Sequence, residues 1–475
     1  MYCRPHLLSA LLAASVAGCA VAPVAPVPEW AEPPAAWQAA LPAETASAPI
    51  DGRAWWQQFD DPLVARLIEA AQAASPDVAA ARARIVEARA SRVAAGAALL
   101  PSVDAGAAAM RGNADLALPT NTTALAGIQA SWEIDLFGGG RAARDLADAR
   151  LAMAEDQWRG ARSALAAEVA TSYASLRACE AQRAQAEVDS RSRAETARLA
   201  GLTVQAGFQS SADLALARAT AAQGRSVVTQ RAAACDLLIK SLVALTAADE
   251  RTLRSELAAA TGHLPQPARF AVKQVPAEAL AQRPDLAAAA HAWRAAQFDI
   301  ARADAARYPR IALSGSIAAA RYESGLERLS TDLWSIGPLT LSLPIFDGGA
   351  RLANVDAARA RADEAAVAYR ARLRSAVREV ETALVTLQST ADRAADASAA
   401  RDGYAATLRA TDERYQRGMA SLFDLEQARR LSTQAESALI DLESERVTAW
   451  IDLYRALGGG WASDADISPA TEAAR

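Results

Sequence analysis

The chain has 475 residues, of which 52% are hydrophobic but only 5% aromatic, and 127 alanines fill that gap. Alanine favours helix and fills an ordinary globular core less well than Leu, Ile, Val or Phe, so the composition disfavours an α/β enzyme or a β-sandwich and favours long, closely packed helices. A net charge of −5, with Lys240 and Lys273 as the two lysines, leaves no basic footprint for nucleic acid.

The N-terminus reads as an address. Arg4 lies in a short polar start, and Leu7 to Val16 is an apolar run of ten residues, too short to span a bilayer as a helix. No run of about 20 apolar residues follows it, although transmembrane strands give a much weaker signal. The run ends in Val16-Ala17-Gly18-Cys19. Small residues after an apolar stretch fit secretion, and the cysteine makes the segment resemble a bacterial lipobox. That resemblance implies a signal peptide over 1–18 and lipidation of Cys19. Ala20, in place of Asp, implies by the same likeness sorting to the outer membrane. An ordinary signal peptide that happens to contain Cys is the alternative. A Pro- and Ala-rich tether over 19–53 follows, and its composition predicts an extended stretch that does not pack.

The body repeats itself. Pro76-Asp77 recurs as Pro284-Asp285, and Pro101 as Pro309, both offset by 208 residues. Phe137 in Leu136-Phe137-Gly138-Gly139 matches Phe346 in Ile345-Phe346-Asp347-Gly348-Gly349. Gly207 matches Gly418, and Asp213-Leu214 matches Asp424-Leu425, both at 211. Such slow drift of the offset means tandem duplication, with units at 54–247 and 276–458, a linker at 248–275 and a tail at 459–475.

Each unit reads helix, strand, strand, long helix, tip, helix. Residues 62–98 carry apolar positions at helical spacing, among them Leu63, Leu67, Ile68 and Ala71, and Pro101 stops the helix. From Ala126 to Leu136 the even positions are apolar and the odd ones include Gln129, Ser131, Glu133 and Asp135, a period of two. Strands are therefore predicted near 102–112, 124–137, 310–322 and 333–346. Strands of this length can cross a bilayer at barrel tilt. Four cannot close a barrel, and open edges are not tolerated in lipid, so transmembrane strands would require oligomerisation. The alternative is two soluble hairpins packed on helices.

Glycine runs then restart helices. Gly138-Gly139-Gly140 precedes about 60 helical residues, roughly 90 Å of helix, broken at Ala206-Gly207-Phe208 with Ser210 and Ser211 to cap the return. The second unit breaks at Arg417-Gly418, with Ser421 as cap. For a hairpin centred on Gly207, facing positions sum to about 414. Cys179 and Cys235 do so, which predicts that they face each other as a disulfide in an oxidising compartment; two small core residues are the alternative.

The order and spacing of these segments resemble the TolC-like outer-membrane efflux family, and within it the NodT-type lipoproteins of RND systems. The residues concerned include Trp55-Trp56 with Asp61-Pro62-Leu63, Leu99-Leu100-Pro101-Ser102, Trp132-Glu133-Ile134-Asp135-Leu136-Phe137-Gly138, Arg283-Pro284-Asp285-Leu286, Leu343-Pro344-Ile345-Phe346-Asp347-Gly348-Gly349 and Leu453-Tyr454-Arg455-Ala456-Leu457-Gly458-Gly459-Gly460-Trp461. The resemblance implies a mainly α fold with transmembrane β: a homotrimer with a 12-stranded barrel in outer-membrane lipid and a long periplasmic α-helical barrel. It implies docking of the tips, at Gly207, Phe208, Gly418 and Met419, onto a periplasmic adaptor that links to an inner-membrane RND pump, with no cofactor. It also implies a periplasmic gate to which Asp424, Asp213, Tyr415 and Arg417 contribute, beside Arg414. Both aspartates equally suit the first turn of a helix. A second acid three residues after Asp424 is usual in similar proteins; here Gln427 stands there, beside Glu426, which weakens a cation-selective gate.

Catalysis would need a constellation. His6, His263 and His291 are scattered and offer no metal-ligand or triad spacing, and the glycine runs lack the Lys and spacing of a phosphate loop. The competing function is a periplasmic coiled-coil scaffold or adaptor lipoprotein without a pore.

Overall fold

The computed structural model describes residues 34–41, 56, 59–113, 120–266, 280–325 and 327–459. Cys19 and the signal segment lie outside the described residues. In chain order the elements are α1 (Pro62–Ala74), α2 (Pro76–Ala97), β1 (Ser102–Gly112), β2 (Asn121–Ile134), α3 (Gly139–Gln205), α4 (Ser211–Thr246), α5 (Glu250–Leu257), α6 (Pro284–Ala305), β3 (Arg310–Ser324), β4 (Glu327–Ser342), α7 (Ala350–Gln416) and α8 (Leu422–Ala456). The long helices α3 and α7 have 67 residues each.

The described residues fall into two compact units. One takes Arg82–Asp156 with Ala287–Arg372, and the other takes the rest. The first holds one antiparallel sheet in the order β1-β2-β3-β4, with β1 and β4 as its edges. Two of its strands depart from the sequence expectation. β2 ends at Ile134 instead of running to 137, because the Asp135 carboxylate turns to accept from the Gly140 and Arg141 amides at the start of α3. β4 covers 327–342 instead of 333–346. Its end precedes Pro344, which cannot donate to a ladder, and Asp347 accepts from the Gly349 and Arg351 amides in the same manner as Asp135.

The second unit is built on a core from α1, α3, α4, α7 and α8. Leu63, Ile68, Ala166, Val169, Tyr173, Leu176, Leu242, Ala376, Val380, Leu384, Ile451 and Leu453 are buried together. Alanines alternate with larger residues along facing helices, so the axes can approach closely. Part of the tether joins this core, contrary to the prediction that it would not pack. Trp37 is buried there, and the Gln38 and Ala39 amides donate to Glu381 at 2.7 and 2.8 Å. Burial of the Trp37 indole and the two bonds to Glu381 offset part of the entropy lost in ordering this segment.

Candidate functional site: sheet faces, arginine hubs and helical tips

Cross-strand partners share a face of a sheet, so the register sorts every strand residue. One face carries the rows Val103–Ala130–Gly315–Ile336 and Ala105–Ile128–Ile317–Trp334, together with Trp132, Leu313 and Leu339, and Ile134, Ile311 and Leu341. Most of its large side chains have no protein cover: Trp334 is 73% and Ile336 86% exposed. A β-bulge between Leu313 and Gly315 keeps Ile336 and Leu339 on the same side. The opposite face carries Asp104–Gln129–Ser316–Ser335 and Ser102–Ser131–Ser314, with the Ser316 and Ser335 hydroxyls 3.0 Å apart. An apolar band of this kind with a polar reverse is the pattern of a barrel wall in lipid.

In the helical unit two arginines act as buried hubs. Arg177 donates to the Tyr173 hydroxyl at 2.8 Å, to Glu180 at 2.8 Å and to the Leu257 carbonyl at 2.9 Å. The Tyr173 hydroxyl in turn donates to Asp61, whose other oxygen accepts from the Leu63 amide and caps α1. Glu180 accepts from the Gly262 amide at 2.8 Å. One guanidinium thereby ties α1, α3 and the segment after α5 together. Burial pushes the Tyr173 hydroxyl well above its ordinary pKa, and the bond to Asp61 pushes the same way, so it remains a donor across physiological pH. The second hub is Arg283, which donates to Asp285 and Glu379, both at 2.8 Å, and to the Ala456 carbonyl at 2.6 Å. Burial works against its charge, but the bonds to Asp285 and Glu379 hold its pKa above the usual value.

The two tips are built alike. Gly207 and Gly418 have φ of 79° and 75°. Each closes its helix by a Schellman pair: Phe208 and Gly207 amides to Thr203 and Val204 carbonyls, Met419 and Gly418 amides to Arg414 and Tyr415 carbonyls. Each return helix opens with a reciprocal capping box, Ser210 with Asp213 and Ser421 with Asp424. Of the residues predicted for the gate, Asp213 and Asp424 are thus engaged in capping. Bonds from the Ser421 hydroxyl and amide, with Arg414 nearby, hold the Asp424 carboxyl below its ordinary range. Tyr415 packs with Leu214 against buried Ala200, Ala217 and Leu422, while Arg414 donates to the Met419 carbonyl at 3.3 Å. Arg417 pairs only loosely with Glu413 at 3.9 Å. Phe208, Met419 and Phe423 are exposed at the tips.

A disulfide joins Cys179 to Cys235, with Cα atoms 5.7 Å apart, across the α3–α4 hairpin. A polar cluster near the tips was not singled out from sequence. Arg193 pairs with Asp189 and, at 3.1 Å, with Glu426; Arg429 pairs with Glu426 and donates to Thr196 at 3.1 Å. It binds α3 of the first repeat to α8 of the second. The spacing of Glu426 and Arg429 at i and i+3 was the one available signal. Among the described residues no group of acids, histidines and cysteines is placed to hold a metal ion, and no helix is long and apolar enough to cross a membrane.

The family model described as outer membrane efflux protein matches residues 67–248 and 275–459, the two repeats. Outer membrane protein OprJ of Pseudomonas aeruginosa is 32% identical over 467 residues, covering 95% of each chain. Pyoverdine export outer membrane protein OpmQ of Pseudomonas putida is 30% identical over 450 residues, covering 91% of this chain and 93% of its own. The solved structure of the outer-membrane channel OprN is 27% identical with a TM-score of 0.81, covering 93% of this chain and 100% of its own. The chain therefore belongs to the outer membrane efflux protein family.

Proposed function

We propose that three copies of this chain form the outer-membrane channel of a tripartite efflux system, conducting substrates passively from a periplasmic adaptor and an inner-membrane RND pump to the exterior. The observation that carries this reading is the four-stranded sheet with an uncovered apolar face, a polar reverse and two edges. Such a sheet satisfies its edge groups in lipid only when other strands complete it, and three copies supply the 12 strands of a closed barrel. Family membership supports the same assignment and the outer-membrane location.

Within this reading Cys19 carries the lipid anchor. The tips at Gly207–Phe208 and Gly418–Met419 meet the adaptor, their exposed aromatic and thioether groups serving as contacts, and Asp424 and Asp213 lie at the periplasmic mouth. The chain performs no chemical step; the pump supplies the energy. Extraction of the protein tests the assignment. In mild detergent it should migrate as a trimer that converts to monomer on heating. A Cys19→Ala variant that is soluble and monomeric without detergent would support the poreless scaffold instead.

A further inference from the structure

The apolar face of the sheet ends in arginines. Beyond Ala105–Ile128–Ile317–Trp334 its rows are Ala107–Ala126–Ala319–Asp332, then Ala109–Ala124–Arg321–Ser330, then Arg111–Thr122–Glu323–Arg328. The paired positions of this face nearer the helices carry no charge at all, because Asp104, Glu133 and Arg310 lie on the polar reverse. The strands join the helices at Ser102, Ile134, Arg310 and Ser342, so Arg111, Arg321 and Arg328 stand at the opposite, hairpin end. With the helices in the periplasm, that end faces the exterior of the cell.

Their height matches the edge of a bilayer. On β3 the positions of this face run Ile311, Leu313, Gly315, Ile317 and Ala319 before Arg321. From Ile311 to Arg321, at about 3.3 Å per residue and a tilt of about 40°, the strand climbs about 25 Å, which is the height of the apolar band on an outer-membrane barrel. Arg321 therefore falls where hydrocarbon gives way to headgroups, and Arg328 stands one row further out on the neighbouring strand. Glu323 holds the two guanidiniums side by side: Arg321 donates to it at 2.7 and 3.0 Å, and Arg328 lies 3.7 Å from the same oxygen. Each guanidinium has five N–H donors, so most of them are left over, and the two side chains are 61% and 76% exposed. Arg111, in the same row as Arg328, is exposed as well. With Glu323 and Asp332 as the acids of these rows, this end of the face has a net positive charge in each copy.

We propose that Arg321 and Arg328, with Arg111 beside them, form a binding site on each copy for the phosphate groups of a glycolipid in the outer leaflet of the membrane. This rests on the trimeric barrel proposed above. The occupant is lipid because the site continues the lipid face without a break: acyl chains cover Ile317, Ala319 and Trp334, and the headgroup of the same molecule meets the arginines. Phosphate is the group that fits. The guanidinium fork matches its oxygens in pairs, and at the bilayer edge the pairing is screened less than in bulk water. Glu323 acts as a positioning residue, since it sets the two guanidiniums on one side of the sheet. The site fixes the depth of the barrel in the membrane from outside, as the lipid on Cys19 does from the periplasmic side.

The test is a titration of the delipidated, detergent-solubilised trimer with diphosphoryl lipid A, read as bound lipid per trimer by native mass spectrometry. An arginine at a charged lipid surface is worth about a factor of five in affinity, so the double variant Arg321→Gln/Arg328→Gln should bind about 25-fold more weakly than the unsubstituted protein. The double variant Arg372→Gln/Arg409→Gln removes the same charge from exposed positions of α7 and should bind within about twofold of the unsubstituted protein, a small fraction of the loss expected from two surface contacts. Lipid A stripped of its phosphates should bind the unsubstituted protein as weakly as the intact lipid binds the Arg321/Arg328 variant. Equal binding of lipid A by the unsubstituted protein and that variant overturns the site, as does an equal loss in the α7 variant or indifference to the phosphates. Each of these outcomes, in protein that still runs as a heat-modifiable trimer, leaves the channel reading standing. Absence of any trimer for the unsubstituted protein overturns the channel reading itself.

Discussion

The sheet and the helical core obey opposite rules. In the core, large side chains such as Tyr173, Leu384 and Ile451 are wholly buried by their own chain, and the polar groups among them are tied to the Arg177 and Arg283 hubs. In the sheet, Trp334, Ile336, Leu339 and Leu341 remain open, although they form ordered cross-strand rows. The core is stabilised by contacts within one chain, whereas the sheet awaits lipid on one side and further copies at its edges. One polypeptide thus carries a unit whose core is buried by its own chain and a sheet whose burial is completed by assembly. Substitutions in the two should therefore fail in different ways.

The largest effect should come from the first hub. Arg177→Ala leaves Glu180 and the Tyr173–Asp61 pair without their buried partner, which costs about 3–5 kcal/mol when a buried pair is broken from one side. It should lower the melting temperature of the purified protein steeply; a shift of under a few degrees would mean the hub is dispensable. Removal of the Cys179–Cys235 disulfide, which closes a separation of 56 residues, should cost between about 2 and 4 kcal/mol, seen as a lower urea midpoint matched by the reduced wild type. In the sheet, Ile336→Arg should cost about 2–4 kcal/mol of membrane stability if that face meets lipid near mid-bilayer, while Ser335→Arg, on the polar reverse, should cost far less. Equal effects at 335 and 336 would break the contrast between the faces.

The smallest effect belongs to the tips, where Ser421→Ala should cost about 1 kcal/mol locally, read as faster amide exchange in the first turn of α8. The capping box also fixes a pH dependence. Asp424 titrates below its unfolded value near 4, so its contribution is full above that value and is lost as pH falls through the lower folded value. Exchange protection at this tip should hold from pH 7 to 5 and fall below about pH 4. Loss already between pH 6 and 5 would contradict the assignment.

The duplication, the strand order, the tips and the facing cysteines were legible because each leaves a periodic or symmetric trace: period two in β2, an offset of 211 between Gly207 and Gly418, equal arms about Gly207. The hubs left none, because the repeats do not share them. At the same offsets Gln388 stands where the first repeat has Arg177, and Ser75 stands where the second has Arg283. A buried arginine in an alanine-rich helix looks like any solvated arginine until its partners, distant in sequence, are placed around it. Trp37 was hidden by the prolines and alanines around it, which read as tether. The acids at the tips were ambiguous for a different reason: a gate carboxylate and a capping carboxylate occupy the same first turn.

The central claim is that three copies close a water-filled pore lined by the polar face of the sheet. Single-channel recording in planar bilayers tests it most directly, with a charged methanethiosulfonate reagent applied to Ser335→Cys and Ile336→Cys trimers. The account predicts that purified protein conducts, that modification at 335 changes the unitary current, and that 336 is unaffected because it faces lipid. A protein that inserts without conducting, or that responds at 336 and not at 335, would contradict it.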